Sequence, residues 1–77
     1  MSLRDLPLGV VARVVDVEGD EVSVLGRRLT DLGFTSGTEV EAVRRAPLGD
    51  PVIYRVCGYD LCLRQALAAT IRVAVIP

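Results

Sequence analysis

The stretch between Arg28 and Pro51 constrains the fold more than any other part of this 77-residue chain. It predicts the end of a helix, a stop at Gly33, a second glycine turn at Gly37, a strand, and a turn enclosed by two prolines. The same stretch contains no plausible catalytic or metal-binding group of residues. A clear fold signal without an active site indicates a small β-barrel that binds a partner.

The composition indicates one domain, residues 1–77, with a small core. The hydrophobic fraction is 51%, which is high for a monomer of this size. Two explanations stay open: part of the apolar surface forms a contact patch, or a small barrel filled with Val, Leu and Ala needs this fraction. The net charge is −1 and all nine basic residues are Arg, so the global charge gives no support for nucleic-acid binding.

Missing residue types exclude several classes of function. The sequence has no Lys and no His, and His is the commonest general base and metal ligand. It also lacks a P-loop, a dinucleotide fingerprint and paired carboxylates in a catalytic context, so we expect no enzyme and no cofactor. The sequence has no apolar run of about 18 residues, so it predicts no membrane span. The N-terminus lacks a signal-peptide pattern. The expected location is the cytoplasm, where both cysteines stay free thiols.

The first half of the chain predicts one strand and one helix. Residues 10–17 are β-branched and predict a strand, but their valines cannot share one face. The strand is therefore either buried on both faces or bulged near Asp16. Residues 20–32 predict a helix with one apolar stripe and with the aspartate at its start as N-cap. Gly33 ends this helix in the left-handed conformation, and Phe34 folds back on its last turn.

The second half of the chain predicts four further strands. They cover residues 39–46, 52–57, 60–63 and 70–76. Val40 and Ala42 face inward, and Gly58-Tyr59 is the predicted two-residue turn between the third and fourth strands. A short helical segment at 63–69 precedes the closing strand. Five strands, one inserted helix and glycine turns indicate a mainly β, partly open small barrel.

An ordered set of motifs covers nearly the whole chain. Its members are Leu6-Pro7-Leu8-Gly9, Arg28-Leu29, Leu32-Gly33-Phe34, Gly37-Thr38-Glu39-Val40, Arg45-Ala46-Pro47-Leu48-Gly49-Asp50-Pro51, Gly58, Leu61, Leu63-Arg64, Ala69 and Ile71 to Val73. With this set the chain resembles the FeoA family, the small cytosolic partners of the bacterial ferrous-iron transporter. The resemblance implies an SH3-like β-barrel with an inserted helix. It also implies a role in ferrous-iron uptake beside the membrane GTPase-permease FeoB, at the inner face of the membrane, by protein–protein interaction. A similar domain ends metal-dependent repressors of the diphtheria-toxin-repressor type, but this sequence has no helix-turn-helix pattern.

Two cysteines depart from the family, whose members more usually carry polar or small residues at these hairpin positions. With Gly58-Tyr59 as the turn, Cys57 opposes Asp60, and Cys57 and Cys62 lie diagonally on one face within about 8 Å. Two thiolates and Asp60 could hold a soft metal, yet three donors form an incomplete shell for Fe²⁺ or Zn²⁺. We therefore expect incidental cysteines and no stoichiometric metal.

The first candidate for a partner contact is the loop that contains two prolines. Pro47 stiffens this loop and lowers the entropy cost of presenting its tip. Leu48, followed by Gly49, either points outward as a contact anchor or folds back onto the barrel.

The second candidate is a set of arginines on the helix and at the end of the second strand. Arg28, Arg44 and Arg45 could bind acidic partner loops, lipid head groups or RNA. The alternative is local pairing with the carboxylates of Asp31, Glu41 and Asp50 on a solvated surface. We expect the local pairing.

Three functions are compatible with these features. The leading one is a cytosolic adaptor that binds FeoB. The second is a metal-dependent regulatory module, which the scarcity of ligands disfavours. The third is a nucleic-acid-binding small barrel, which the near-zero net charge and the few aromatic residues disfavour. A weak homo-oligomer is compatible with all three.

Overall fold

The fold was obtained as a computed structural model, which describes residues 1–17, 29 and 31–76. A 3₁₀ helix at Leu3–Asp5 precedes strand β1. The other elements are β1 (Val11–Val17), β2 (Glu39–Arg45), β3 (Val52–Val56), β4 (Tyr59–Leu63), the helical turn α1 (Gln65–Ala68) and β5 (Ile71–Val75). The strands form one antiparallel sheet in the order β4-β3-β2-β1-β5. The predicted mainly β architecture, with a short helical segment before the last strand, is confirmed.

Of the two alternatives left by the sequence, strand β1 has the bulge near Asp16. Ala12 and Val14 are buried, and the register with β5 shifts between Val14 and Asp16. Val15 is the inserted residue, which has no partner in the ladder with β5, and it is 48% exposed. Asp16 accepts two hydrogen bonds from the Arg72 guanidinium on β5, and these bonds hold the pKa of its carboxyl below the usual value.

The core fills the inner face of the curled sheet. Its buried members are Leu3, Leu6, Ala12, Val14, Leu29, Phe34, Val40, Ala42, Val52, Tyr54, Val56, Leu63, Ala68, Ile71 and Val73. Tyr54 is the largest fully buried side chain, and its hydroxyl donates a hydrogen bond to the Leu3 carbonyl at 3.3 Å. Burial raises the pKa of this phenol, because the charged form loses its hydration. The Tyr54 hydroxyl thus ties the 3₁₀ helix to the sheet from inside the core.

Strand β2 follows the predicted alternation and then bends. Val40 and Ala42 are buried as expected. The register with β3 shifts between Ala42 and Arg44. Beyond this bulge Arg44 and Arg45 are both exposed, so β2 leaves the barrel with two consecutive charged side chains at the surface.

Most of the predicted helix, residues 20–28 and residue 30, lies outside the described residues. Its end is described: Leu29 and Asp31 are helical, and the Phe34 amide donates to the Leu29 carbonyl at 3.1 Å. Gly33 has a φ of +113°, and Phe34 is buried. This is the long-range hydrogen bond of a glycine-terminated helix, so the predicted glycine stop and the folded-back phenylalanine are confirmed.

The predicted position of the β3–β4 turn was wrong. Val56 pairs with Tyr59, and Arg55 pairs with Asp60, so the turn residues are Cys57 and Gly58. Their φ values are +52° and +85°. Positive φ at both positions defines the turn whose twist matches the right-handed twist of paired strands, and this match favours Cys57-Gly58 although cysteine seldom adopts a positive φ.

The two edges of the sheet differ. The outer edge of β5 is covered by the N-terminus, since the Val73 amide donates to the Met1 carbonyl at 2.8 Å and Ser2 bridges to Arg72. Strand β4 ends the sheet on the other side. Among the described residues, no strand covers the outer edge of β4.

Candidate partner-binding loop

The loop between β2 and β3, residues 46–51, is called the Leu48 loop here. The Gly49 amide donates to the Ala46 carbonyl at 2.7 Å, which closes a β-turn with Pro47 and Leu48 at its centre. Proline at the second position and glycine at the fourth are the residues that such a turn favours. The Ala46 amide donates to the Pro51 carbonyl at 3.0 Å, so hydrogen bonds fix both the tip and the base of the loop.

Two further hydrogen bonds anchor the Leu48 loop to α1. The Gln65 side-chain amide donates to the Gly49 carbonyl at 2.5 Å. The Gln65 backbone amide donates to Asp50 Oδ1 at 2.9 Å, so this carboxylate satisfies one of the open N–H groups at the start of α1. Arg4 Nε donates to Gln65 Oε1 at 3.3 Å and so orients the Gln65 amide. These contacts join the loop, α1 and the N-terminal 3₁₀ helix into one hydrogen-bonded corner.

Leu48 projects from this corner into solvent. It is 96% exposed, so of the two alternatives left by the sequence the structure has the outward one. A partner that covers this exposed leucine stabilises the complex by up to about 2 kcal/mol for complete burial. Because hydrogen bonds already hold the loop, binding loses little backbone entropy.

Arg44 and Arg45 lead directly into the Leu48 loop. Both are exposed, and neither forms an ion pair with a carboxylate of the residues the structure describes. The expectation that they pair with Glu41 and Asp50 was therefore wrong: Asp50 accepts a hydrogen bond from the Gln65 backbone amide, and Glu41 lies between Val11 and Arg55 in the sheet. Arg28 lies outside the described residues. The two guanidinium groups remain available for carboxylates of a partner.

The cysteines and Asp60 do not form one site. Cys57 is a turn residue, Cys62 lies opposite Ile53, and Asp60 is bound by Arg55 Nε at 3.0 Å. Within residues 1–17, 29 and 31–76, no three His, Cys, Asp or Glu side chains come close enough to hold a metal ion. The predicted diagonal contact between the two thiols depended on the wrong turn position.

A shallow groove on the outer face of the sheet was not predicted. It has a volume of about 280 Å³ and is lined by Val11, Glu39, Val40, Glu41, Arg55, Cys57 and Gly58. Arg13 pairs with Glu39 at 3.7 Å at its border, and both side chains are more than half exposed. The strand register places Glu41 between Val11 and Arg55, and Glu39 opposite Arg13.

The bracing residues of the Leu48 loop were also missed. Gln65 and Arg4 are 61 positions apart, and neither belongs to a local motif. The only signal in the sequence is a polar residue at the start of the segment before the last strand. The partners of this residue, Arg4 and Gly49, are distant in the sequence and lie beside it only in the folded chain.

The five-stranded order with a helical turn before the last strand belongs to the class of small SH3-like β-barrels. The sequence profile of the FeoA domain matches residues 1–75. The chain therefore belongs to the FeoA family.

Relatives with known sequences or structures agree with this assignment. A fusion of Fe(2+) transport protein A with the Fe(2+) transporter FeoB from Porphyromonas gingivalis is 41% identical over 76 residues, which are 99% of this chain and 9% of the fusion protein. Iron(II) transport protein A from Clostridium thermocellum is 37% identical with a TM-score of 0.90, over 99% of this chain and 46% of that one. FeoA from Stenotrophomonas maltophilia, solved with zinc and described as a prokaryotic SH3 domain protein, is 35% identical with a TM-score of 0.83, over 95% of this chain and 88% of that one. The chain thus spans a small part of the fusion protein and under half of the clostridial protein.

No helix among the described residues is both long and apolar enough to cross a membrane.

Proposed function

We propose that this chain is a cytosolic accessory protein of a bacterial ferrous-iron transport system and that it binds the membrane GTPase-permease FeoB through the Leu48 loop. The observation that carries the proposal is Leu48 itself, 96% exposed on a loop that α1 holds in place. Membership of the FeoA family supports the transport system. The Porphyromonas gingivalis relative, in which transport protein A and FeoB form one chain, supports FeoB as the partner.

The chemistry of the loop indicates what it binds on FeoB. Leu48 needs a small apolar pocket. Arg44 and Arg45, exposed and without an ion pair among the described residues, favour carboxylates at the rim of that pocket. Exposed ion pairs contribute about 0–1 kcal/mol each, so Leu48 sets the affinity while the arginines set orientation and salt dependence.

These contributions predict a modest affinity in solution. One leucine anchor and two rim charges are fewer than the several hot-spot residues of a tight interface. Joining the two proteins in one chain compensates for this, because tethering raises the effective concentration to about the millimolar range. A fused relative and a weak contact are therefore compatible with one binding mode.

Binding changes the activity of FeoB only if two states of FeoB bind the accessory protein differently. A tenfold difference in affinity between the two states shifts their equilibrium by about 1.4 kcal/mol. The accessory protein needs no catalytic group for such an effect, since it acts by stabilising one state of its partner.

The direct test uses purified chain and full-length FeoB of the same organism in detergent or nanodiscs. We expect saturable binding by interferometry that weakens as salt rises, and a changed rate of GTP hydrolysis at saturation. A FeoB preparation that hydrolyses GTP but neither binds the chain nor changes its rate would contradict the proposal.

No specific observation favours the metal-dependent regulatory module. Zinc is bound to the Stenotrophomonas maltophilia protein, while the described residues of this chain bring no three donor side chains together.

A further inference from the structure

Strand β4 has hydrogen-bonding groups that point away from the sheet. The two-residue turn at Cys57-Gly58 makes Val56 and Tyr59 a hydrogen-bonded pair. Hydrogen-bonded and non-bonded pairs alternate along an antiparallel ladder, so Asp60 and Cys62 direct their N–H and C=O groups outward. Among the described residues, these groups have no backbone partner.

This edge has little protection against pairing. Protected edges carry a proline, a bulge, charged side chains or a covering segment, and of these features β4 has a single charged residue, Asp60. The other edge of the sheet has such a cover, formed by Met1 and Ser2. Strand β4 has no proline, pairs with β3 without a register shift, and keeps Asp60 and Cys62 exposed. A second extended strand therefore finds free donors and acceptors here.

The charges along the edge indicate a second copy of the same strand. Asp60 and Arg64 are both exposed and stand on either side of Cys62. In an antiparallel pair of β4 strands with Cys62 on the two-fold axis, each Asp60 faces the Arg64 of the other copy. The Asp60 carboxylate contacts Arg55 through Oδ1, which leaves Oδ2 for this second arginine. The registers in which like charges oppose each other are disfavoured.

We propose that two copies of this chain pair antiparallel through β4, with Cys62 facing Cys62 of the second copy and Asp60 facing its Arg64. The two sheets then form one continuous sheet across the dimer. Arg64 continues the extended conformation past Leu63, with φ −64° and ψ 145°, so its amide can join the ladder. The interface is small, and we expect a dimer of weak affinity, populated toward the millimolar range.

Oxidative cross-linking tests the register. Facing residues of a hydrogen-bonded pair lie about 5.5 Å apart between Cα atoms, within the range that a disulfide spans. With diamide, which takes up the two electrons and two protons of the thiols, we expect the Cys57→Ser variant to form a covalent dimer and the Cys62→Ser variant to form none. Cross-linking of Cys62→Ser through Cys57, without cross-linking of Cys57→Ser, would overturn the proposal.

A backbone variant tests the hydrogen bonds. Proline is tolerated on an edge strand where its missing N–H faces solvent, so Cys62→Pro removes a donor of the dimer and no donor of the β3–β4 ladder. We expect Cys62→Ser to keep the dimer and Cys62→Pro to abolish it in analytical ultracentrifugation at up to about 1 mM protein. Circular dichroism confirms that the monomer stays folded. A dimer that survives the proline would contradict edge pairing.

A charge variant keeps the test valid if the proline variant does not fold. Arg64→Glu places like charges opposite each other in the dimer, and we expect it to weaken dimerisation at least about tenfold. Arg13→Glu makes the same change in charge on β1, which β2 and β3 separate from β4, and serves as the control. Equal dimerisation by Arg64→Glu and the unmodified chain, or a chain that stays monomeric throughout this range, would overturn the proposal.

Discussion

The side-chain amide of Gln65 donates a hydrogen bond to the carbonyl oxygen of Gly49, sixteen positions earlier in the chain. The next residue toward the N-terminus of that loop is Leu48, the most exposed large apolar residue among those described. A bond from α1 thus holds the turn that presents the candidate anchor. We therefore expect this bond to matter for partner binding as much as Leu48 does.

Replacing Gln65 with Ala removes the bond to Gly49 and the contact with Arg4, while the backbone amide still donates to Asp50. We expect a loss of about 1 kcal/mol in the free energy of unfolding. We also expect weaker partner binding, because the loop must then be ordered on association. Backbone ¹⁵N relaxation should report lower order parameters at Leu48 and Gly49. Unchanged order parameters at both residues would refute the bracing role.

The close approach of Cys57 to Gly33 leads to a second prediction, which concerns the stability of the fold. A Cβ on Gly33 would lie 2.8 Å from Cys57 Sγ, and Gly33 has a φ of +113°, so Gly33→Ala suffers from both backbone strain and a steric clash. We expect a loss of about 2–3 kcal/mol in urea unfolding.

Two variants separate these causes. Gly37→Ala meets strain alone, since its φ is +91° and no atom lies within 4 Å of the added Cβ. Adding Cys57→Ala to Gly33→Ala should recover about 1 kcal/mol through a favourable coupling between the two sites. Strictly additive effects at Gly33 and Cys57 would show that the clash is relieved elsewhere.

Tyr54 predicts a third effect, the dependence of stability on alkaline pH. Burial raises the pKa of its hydroxyl in the folded state above the ordinary value of 10.0. The folded state therefore holds the proton more tightly than the unfolded state, and this difference contributes to the free energy of unfolding. The contribution is complete below pH 10.0 and declines as the pH rises through the folded-state pKa.

The variant Tyr54→Phe should lack this decline. At neutral pH we expect it to be about 1 kcal/mol less stable, because the bond to the Leu3 carbonyl is lost. Urea unfolding at pH values from neutral to above 10.0 measures the difference from the unmodified chain. Tyr59→Phe, whose ring is half exposed, controls for loss of a hydroxyl. A difference between Tyr54→Phe and the unmodified chain that stays constant across this range would contradict the interpretation.

Local patterns were sufficient for much of the fold. The alternation around Val40 and Ala42, the bulge near Asp16 and the glycine stop at Gly33 all follow from residues within one turn or one strand. Each depends on interactions between residues that are close in the sequence, so a local pattern of residue types is enough to predict it.

The features that the sequence did not predict depend on distant contacts. The turn at Cys57-Gly58 matches the strand twist and places the Cys57 side chain against Gly33. The residue types around Gly58 do not reveal this contact, because Gly33 is distant in the sequence. The hydrogen bonds from Gln65 depend on where α1 lies relative to the loop. The absence of an ion pair at Arg44 among the described residues depends on where the fold places the carboxylates. The sequence predicted the loop and its stiffening by Pro47, but it left the direction of Leu48 open and did not reveal the hydrogen bonds from Gln65.

The affinity of FeoB for the chain and for the variant Leu48→Ala, measured side by side, decides whether Leu48 is the anchor of the contact. We expect Leu48→Ala to bind about tenfold more weakly, because a buried anchor contributes on the order of 1–2 kcal/mol. Its free energy of unfolding should be unchanged. Leu8→Ala removes another exposed leucine, 47% accessible and outside the loop, and should bind like the unmodified chain. Equal affinities for all three proteins would contradict the claim that the Leu48 loop is the contact with FeoB.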